Sequence, residues 1–487
     1  MSYFDTDVQV IRNKVLGQII QLAYAGNLTP TSVLAIPKEI IPDGSKPTMR
    51  CCIYKERAIL AERVGVTLQS DRSPNGIVQV MPIACDECPA DGIKVTETCR
   101  GCLAHRCMKA CPKGAISFNE ENRRAVIDKS KCVECGRCIN ACSYHAIVEQ
   151  IRPCMNACKS GALSINYETR KVQIDYHKCL ACGQCVYRCP FGAMVDKSHV
   201  VDIINLIHNS ENNTKYRVYA IVAPSVSAQY DTVPGITTEK VISGILKLGF
   251  GTVVEAAWGA DVVAYREAKE LVEKGLLFSS CCPAFVKYVR TAFPDLAEHI
   301  SHNLSPMATM AQILKRMDPN CKCVFIGPCI AKKSEVGGDA GQYVDAVMTF
   351  EGLQAFFEAM NIDLETLEDT PLANASYFGR VFARSGGLCE AITEALREQG
   401  VTQERFTFKP VICNGLDECK AALLKAQHGV LDGNFIEGMC CENGCIGGPA
   451  CVAHAPRDKA EVNKYGRSSE ERTIKSAISD LRAYVGA

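Results

Sequence analysis

Sixteen of the chain's thirty cysteines fall between residues 85 and 189, and their cadence repeats. Cys111-Pro112-Lys113-Gly114-Ala115-Ile116 leads through Ala125-Val126-Ile127-Asp128 to Cys132-Val133-Glu134-Cys135-Gly136-Arg137-Cys138. The same order recurs from Cys158-Lys159-Ser160-Gly161-Ala162-Leu163, through Val172-Gln173-Ile174-Asp175, to Cys179-Leu180-Ala181-Cys182-Gly183-Gln184-Cys185 and Cys189-Pro190. Such self-similarity confines the segment to two copies of one small unit. At 487 residues and 47% hydrophobic, the chain can build a full core and needs no disulfide framework. Its opening, Met1-Ser2-Tyr3-Phe4-Asp5, is polar and acidic and unlike a secretory leader. A reducing cytoplasm is therefore the expected compartment.

Thiolates at these spacings suit iron–sulfur cubanes. A CxxCxxC loop wraps three ligands around one cube, and the next cysteine reaches the neighbouring cube. By that rule Cys132, Cys135 and Cys138 join Cys111, while Cys99, Cys102 and Cys107 join Cys142. In the second unit Cys179, Cys182 and Cys185 join Cys158, which leaves Cys154 and Cys189 two ligands short. Cys85 and Cys88 supply the missing pair, so three to four [4Fe-4S] clusters are expected. Zinc ribbons use similar pairs, but the Cys-Pro-x-Gly-Ala signature favours iron. His105 and His145 read as surface or capping residues, and Cys51 and Cys52 as two buried free thiols opening a helix.

Lys plus Arg and Asp plus Glu both number 54, so no global field draws the chain to nucleic acid or an anionic membrane. No apolar run is long enough to cross a bilayer. A soluble protein is expected, binding neither.

Four regions follow from the change of texture along the chain: a helical and loop-rich extension at 1–80, a tandem ferredoxin-like iron–sulfur domain at 81–198, a third domain at 215–455, and a helical tail at 456–487 that reads as a surface helix. From about Arg217 short apolar strands alternate with amphipathic helices. The expected fold is an α/β domain with largely parallel sheets flanked by helices, preceded by α+β ferredoxin-like [4Fe-4S] modules.

Three separated cysteine motifs belong to that third domain: Ser279-Ser280-Cys281-Cys282-Pro283, Gly327-Pro328-Cys329-Ile330-Ala331-Lys332-Lys333-Ser334-Glu335, and Glu437-Gly438-Met439-Cys440-Cys441-Glu442-Asn443-Gly444-Cys445. They fall at strand ends, where open α/β sheets place their sites. Four of their six thiolates, drawn from three loops, would fix a cubane rigidly and leave a spare thiol beside it. With a pKa near neutrality such a thiol could pass protons. On a helix, Glu267, Glu270 and Lys274 share one face.

Read together, these motifs make the chain resemble the [FeFe]-hydrogenase family over roughly residues 90 to 455. The resemblance implies reversible oxidation of dihydrogen at an H-cluster, a cubane bridged to a diiron subsite bearing CO, CN and dithiolate ligands. It implies that Cys282, Cys329, Cys441 and Cys445 hold this cluster, with Cys445 the bridge. It assigns Cys281 as the proton-relay cysteine, Lys332 as a donor to an anionic metal ligand, and Glu267, Glu270, Ser301 and Lys274 as the outgoing proton path. Ala223, Pro224, Ser225, Ser305, Pro306 and Met439 match positions lining the diiron pocket. Ferredoxin or a similar one-electron carrier is the implied partner, with maturation proteins supplying the diiron unit. Ser279 for the usual Thr, Phe285 for Trp, Gly327 for Met, and Cys440 mark a divergent branch. The alternatives are a Nar1-like assembly factor, which lacks the doubled cysteine and the lysine, a hydrogen-sensing relative, and an electron-bifurcating subunit. For the last, no nucleotide loop is found in this chain.

Overall fold

A computed structural model describes residues 4–68, 76–89, 92–166, 168–230 and 233–485. Three helices come first. Helix α1 (Asp7–Tyr24) begins at Thr6, whose hydroxyl accepts the Gln9 N–H while the Gln9 side chain accepts the Thr6 N–H, a reciprocal cap. Helix α2 (Pro30–Ile40) repeats the device with Thr29 and Ser32 and sets Pro30 in its first turn. Helix α3 (Ile53–Leu68) follows Cys52 as expected. Cys51, however, is exposed and Cys52 half-buried, because the helix starts at the surface; the expectation of two buried thiols is corrected.

The extension is more than a lead-in. Arg12 of α1 pairs with Asp196 at 2.9 Å and with Glu351 at 2.8 Å, and Lys333 pairs with the same Asp196 at 2.6 Å. Glu351 and Lys333 are buried, and Arg12 and Asp196 nearly so. Such a set is tolerable only when every charge is paired, so removing one partner costs more than the pair is worth. Helix α1 is thereby wedged between the second iron–sulfur unit and the C-terminal domain.

Each iron–sulfur unit carries an antiparallel pair of strands, Ile116–Asn119 with Arg124–Ile127 and Leu163–Asn166 with Lys171–Ile174. Its CxxCxxC run enters a single turn of helix, Arg137–Ala141 or Gln184–Arg188, through Gly136 (φ 73°) or Gly183 (φ 81°). Only glycine adopts that left-handed backbone at no cost. Gly183 is further constrained, since an added Cβ would lie 2.4 Å from Ile330 Cδ1 and 2.9 Å from Pro449 Cγ, whereas Gly136 faces open space. The second unit's cysteine loop is thus pressed onto the C-terminal domain. Val78–Val80 pairs with Met194–Asp196 and so belongs to this unit, not to the 1–80 extension in which the sequence reading placed it.

The C-terminal domain holds β1 (Val218–Val222), β2 (Thr252–Glu255), β3 (Leu277–Phe278), β4 (Lys322–Gly327), β5 (Ala346–Thr349), β6 (Pro410–Asn414) and β7 (Phe435–Met439). Two parallel sheets result, ordered β2-β1-β4-β5 and β3-β7-β6. Apart from the edge strand β6, where Ile412 is exposed, the strands are largely buried and read as apolar runs. The three motifs leave the C-terminal ends of β3, β4 and β7, as the α/β reading expects. The 456–487 segment is not a surface tail: Val462 and Ile474 are fully buried, and Trp258 Nε1 donates to the Ala477 carbonyl at 2.7 Å. Among the described residues no helix is long and apolar enough to cross a membrane.

Candidate functional site

Where the two sheets meet, the motif loops close around a cavity of about 100 Å³ with an almost wholly apolar wall. Helix α4 (Ala256–Lys274) gives it Ala256, Ala257 and Ala260, small side chains that leave room. Cys282, Cys329, Cys441 and Cys445 all reach the cavity, together with Cys281 and Lys332. Gly438 lets the first and third motifs approach, because a Cβ there would fall 2.3 Å from the Phe285 ring. The Phe285 ring lies directly against that glycine.

Of the pocket residues read from sequence, Ala223, Pro224, Ser225, Pro306 and Met439 line the cavity. Ser305 does not. Its hydroxyl accepts the Ala308 N–H at the start of helix Pro306–Met317, one residue behind the wall. The sequence reading missed the apolar wall itself: Ala256, Ala257, Ala260, Phe325, Phe382 and Ala383. Such residues carry no signal that separates them from core.

Lys332 is buried, donates to the Cys281 carbonyl at 3.2 Å and pairs with Glu335 at 2.6 Å. Burial pulls its ammonium down, but Glu335 and the neighbouring Cys329 outweigh it, so the lysine stays charged. Burial, then Glu267 and Cys282, push the Cys281 thiol well above the ordinary cysteine range. That direction departs from the near-neutral value expected of this thiol.

A line of polar groups leads outward. Glu267 is fully buried, and its Oε1 accepts both the N–H and the hydroxyl of Ser280, each at 3.1 Å, while Oε2 has no partner. Burial pushes this carboxyl up to about 7 despite Ser280 and Ser301. Next, the Ser301 hydroxyl donates to Glu270 at 2.9 Å. Glu270 also accepts the His302 N–H at 3.1 Å and the Asn303 amide at 3.0 Å, and pairs with Lys274 at 2.9 Å. Burial raises its carboxyl, but Lys274, the His302 N–H and Ser301 outweigh it and hold it below the usual range. Lys274 and His302 lie at the solvent edge.

The ladder cysteines fall into the expected sets. Cys111, Cys132, Cys135 and Cys138 line one small cavity, and Cys99, Cys102, Cys107 and Cys142 another. Cys185 stands among Cys182, Cys179 and Cys158, with Cys154 beyond. Cys154 in turn faces Cys189, Cys85 and Cys88, so the split set comes together. On the other side Cys182 faces Cys282, and the Gln184 amide donates to Cys441 Sγ at 3.6 Å.

These donor sets can be tested for fit. Among the described residues, no three His, Cys, Asp or Glu side chains converge closely enough for a single ion. Eight of the ladder thiols ring two small cavities, which suits a polyatomic cluster. The orphaned hydroxyl of fully buried Ser225, set in the cavity wall, leaves a polar atom waiting for a ligand atom. The residues fit.

Comparison with known proteins agrees. A family model for the iron only hydrogenase large subunit, C-terminal domain, matches residues 216–449, and a 4Fe-4S dicluster domain model matches 98–146 and 152–193. Iron hydrogenase 1 of Clostridium pasteurianum is 27% identical over 400 residues, 72% of this chain and 69% of that protein. The periplasmic [Fe] hydrogenase large subunit of Nitratidesulfovibrio vulgaris is 28% identical, covering 48% of this chain and 68% of its own. The cytosolic Fe-S cluster assembly factor NAR1 of Eremothecium gossypii shares 29% identity, over 26% of this chain and 30% of its own. A solved [FeFe]-hydrogenase superposes with a TM-score of 0.50 at 22% identity, over 59% of this chain and 95% of that one, which shows a common fold. The chain belongs to the iron-only, or [FeFe], hydrogenase family and carries a tandem 4Fe-4S region before its hydrogenase domain.

Proposed function

We propose that the chain interconverts dihydrogen with two protons and two electrons, with Cys282, Cys329, Cys441 and Cys445 holding the H-cluster. The observation that carries this reading is the Cys281 thiol at the cavity, beside the four cysteines of the three motif loops and backed by the buried Glu267 carboxyl and a hydrogen-bonded exit. A cubane held for structure alone needs none of these. When bound, the diiron unit supplies an open metal position for heterolysis of dihydrogen and uptake of its electrons.

The protein's own residues do the rest. Apolar side chains from α4, Phe325 and Phe382 exclude water from the cavity. Lys332, fixed by Glu335 and the Cys281 carbonyl, directs an ammonium at an anionic ligand position. Cys281 exchanges a proton with the cavity, and Glu267, whose carboxyl burial raises to about 7, takes it from or returns it to Cys281. Ser301 and Glu270 carry it to Lys274 and His302 at the surface. The sets of Cys182 and Cys154 and the two sets of the first unit would hold the [4Fe-4S] clusters that relay electrons between the catalytic ring and a ferredoxin-like one-electron carrier.

Infrared spectroscopy of anaerobically matured protein tests the core of this. Bands from metal-bound carbonyl and cyanide are expected where protein does not absorb; their absence alongside full cubane loading would favour the assembly-factor reading. The Cys281 thiol and the buried Lys332 ammonium weigh against that reading, since cubane ligation uses neither.

Two substitutions probe the assignment further. Cys85→Ser or Cys88→Ser is expected to lose one cubane's worth of iron, because the four-thiolate set with Cys154 and Cys189 is broken. Wild-type iron content and an unchanged paramagnetic spectrum in both would make these two cysteines structural. Lys332→Ala is expected to lower diiron occupancy itself, so infrared bands and turnover fall together. Full bands with full activity would remove the anchoring role.

A further inference from the structure

His454 lies nine residues past Cys445, beyond the motif that brings the third loop to the cavity. Both of its ring nitrogens face oxygen acceptors: Nδ1 is 2.9 Å from Asp5 Oδ2, and Nε2 is 2.9 Å from the Gly448 carbonyl. A neutral imidazole has one N–H to donate, and two acceptors require two. The arrangement is therefore that of an imidazolium. Its backbone N–H donates to the same Asp5 carboxylate at 3.1 Å, and its ring lies 4.7 Å from that of Tyr187. The Tyr187 hydroxyl also donates to Asp5, at 3.2 Å.

Three parts of the molecule meet in this contact. Asp5 immediately precedes Thr6, the capping residue of α1. Tyr187 sits in the short helix between Cys185 and Cys189, ligand positions of the two nearest ladder sets. Gly448 lines the cavity, its N–H donates to the Cys445 carbonyl at 3.0 Å, and a Cβ on it would come within 2.7 Å of the Pro328 carbonyl. The stretch from Cys445 to Gly448 thus lies against the loop of Cys329 with no slack, and the imidazolium grips its far end.

We propose that His454, held as an imidazolium by Asp5, is a positioning residue that fixes the Gly448 carbonyl, and through it the Cys441–Cys445 loop, to the second iron–sulfur unit and to helix α1. Its consequence for turnover rests on the reaction proposed above, while the latch itself stands on these contacts. The groups facing the ring are Asp5 from the N-terminal segment, Tyr187 from the short helix, whose far side carries Arg188 over its own ring, and Asp458 from helix Asp458–Arg467. The two carboxylates leave the surroundings favourable to positive charge. Burial lowers the His454 value, but Asp5 and the Gly448 carbonyl outweigh it and raise it above the ordinary one. A raised histidine stabilises fully below the unfolded value of about 6.5 and loses that contribution as pH rises through the folded value. The latch is closed in acid and opens in base.

Hydrogen exchange on the full, cluster-loaded chain tests this without reference to hydrogen turnover. Peptides covering residues 5–24 and 441–454 are compared at pH 6 and pH 9, after correction for intrinsic rates, in wild type, His454→Gln and Asp5→Asn. In wild type these peptides should exchange about tenfold faster at pH 9 than at pH 6. Both variants should show the fast rate at both pH values, with no step. Wild-type protection at pH 6 in His454→Gln, or a pH step that survives in it, would overturn the proposal. Should His454→Gln fail to load its clusters, Asp5→Asn, which leaves the cysteine loop untouched, decides by the same readout. Wild type that lacked carbonyl and cyanide bands would remove the proposed reaction and leave the exchange result standing.

Discussion

Cys281→Ala is expected to cut hydrogen turnover by at least about a hundredfold while iron content and the infrared bands stay close to wild type. The cavity wall keeps Cys282, Cys329, Cys441 and Cys445, so every proposed cluster ligand remains. What disappears is a thiol that lines the cavity and lies within the influence of Glu267. Alanine also enlarges an apolar space that cannot carry a proton, and the neighbouring Ser280 hydroxyl is already committed to Glu267 at 3.1 Å. Cys281→Asp should restore part of the rate, since a carboxyl at the same position can accept and release a proton. Turnover at the wild-type rate from a fully loaded alanine variant would take the relay role away from this residue. A fall in the infrared bands matching the fall in rate would instead mark Cys281 as needed for assembly.

Much of this site was legible because iron–sulfur chemistry ties identity to spacing. The grouping of Cys111 with Cys132, Cys135 and Cys138, and of Cys99, Cys102 and Cys107 with Cys142, follows from the reach of one loop and reappears as two small cavities. Even the split set of Cys85, Cys88, Cys154 and Cys189 could be reached by counting ligands left over. Contacts without such arithmetic were not legible. Arg12, Asp196, Lys333 and Glu351 come from three regions of the chain, and nothing in their local sequence says that burial makes them partners. Lys333 reads as a surface residue beside Lys332 and is instead among the most buried lysines of the fold.

The same limit explains the misplaced elements. Residues 456–487 are rich in charge, and composition alone suggests a surface helix, but Val462 and Ile474 each turn a fully buried side chain inward. Cys51 and Cys52 show the reverse, apolar by type yet set at an exposed helix start. Ser305 matched a pocket position by register, but its hydroxyl serves as a helix cap, a use that Ser-Pro before a helix announces on its own.

Glu267→Gln is expected to slow turnover by about 10²- to 10⁴-fold and at the same time to stabilise the protein above neutral pH. Both effects come from one feature, a fully buried carboxyl pushed up to about 7 by desolvation. An amide keeps the acceptor that Ser280 uses and fills the same volume, but it cannot exchange a proton between Cys281 and Ser301. For stability the sign is that of a raised carboxyl: the folded state binds the proton more tightly than the unfolded chain, so wild-type stability falls as pH rises from the ordinary glutamate value through about 7. The variant lacks this loss, and its advantage should reach roughly 2–3 kcal/mol at pH 8 and shrink toward pH 5. Thermal midpoints of the cluster-loaded proteins at those two pH values read this directly. Glu270→Gln should differ, slowing turnover without the gain at pH 8, because Glu270 is held below the usual range by Lys274, the His302 N–H and Ser301 and loses those partners' support as an amide. An equal pH response in the two variants would show that burial does not tune Glu267. Full activity in Glu267→Gln would send the proton out of the cavity by another route.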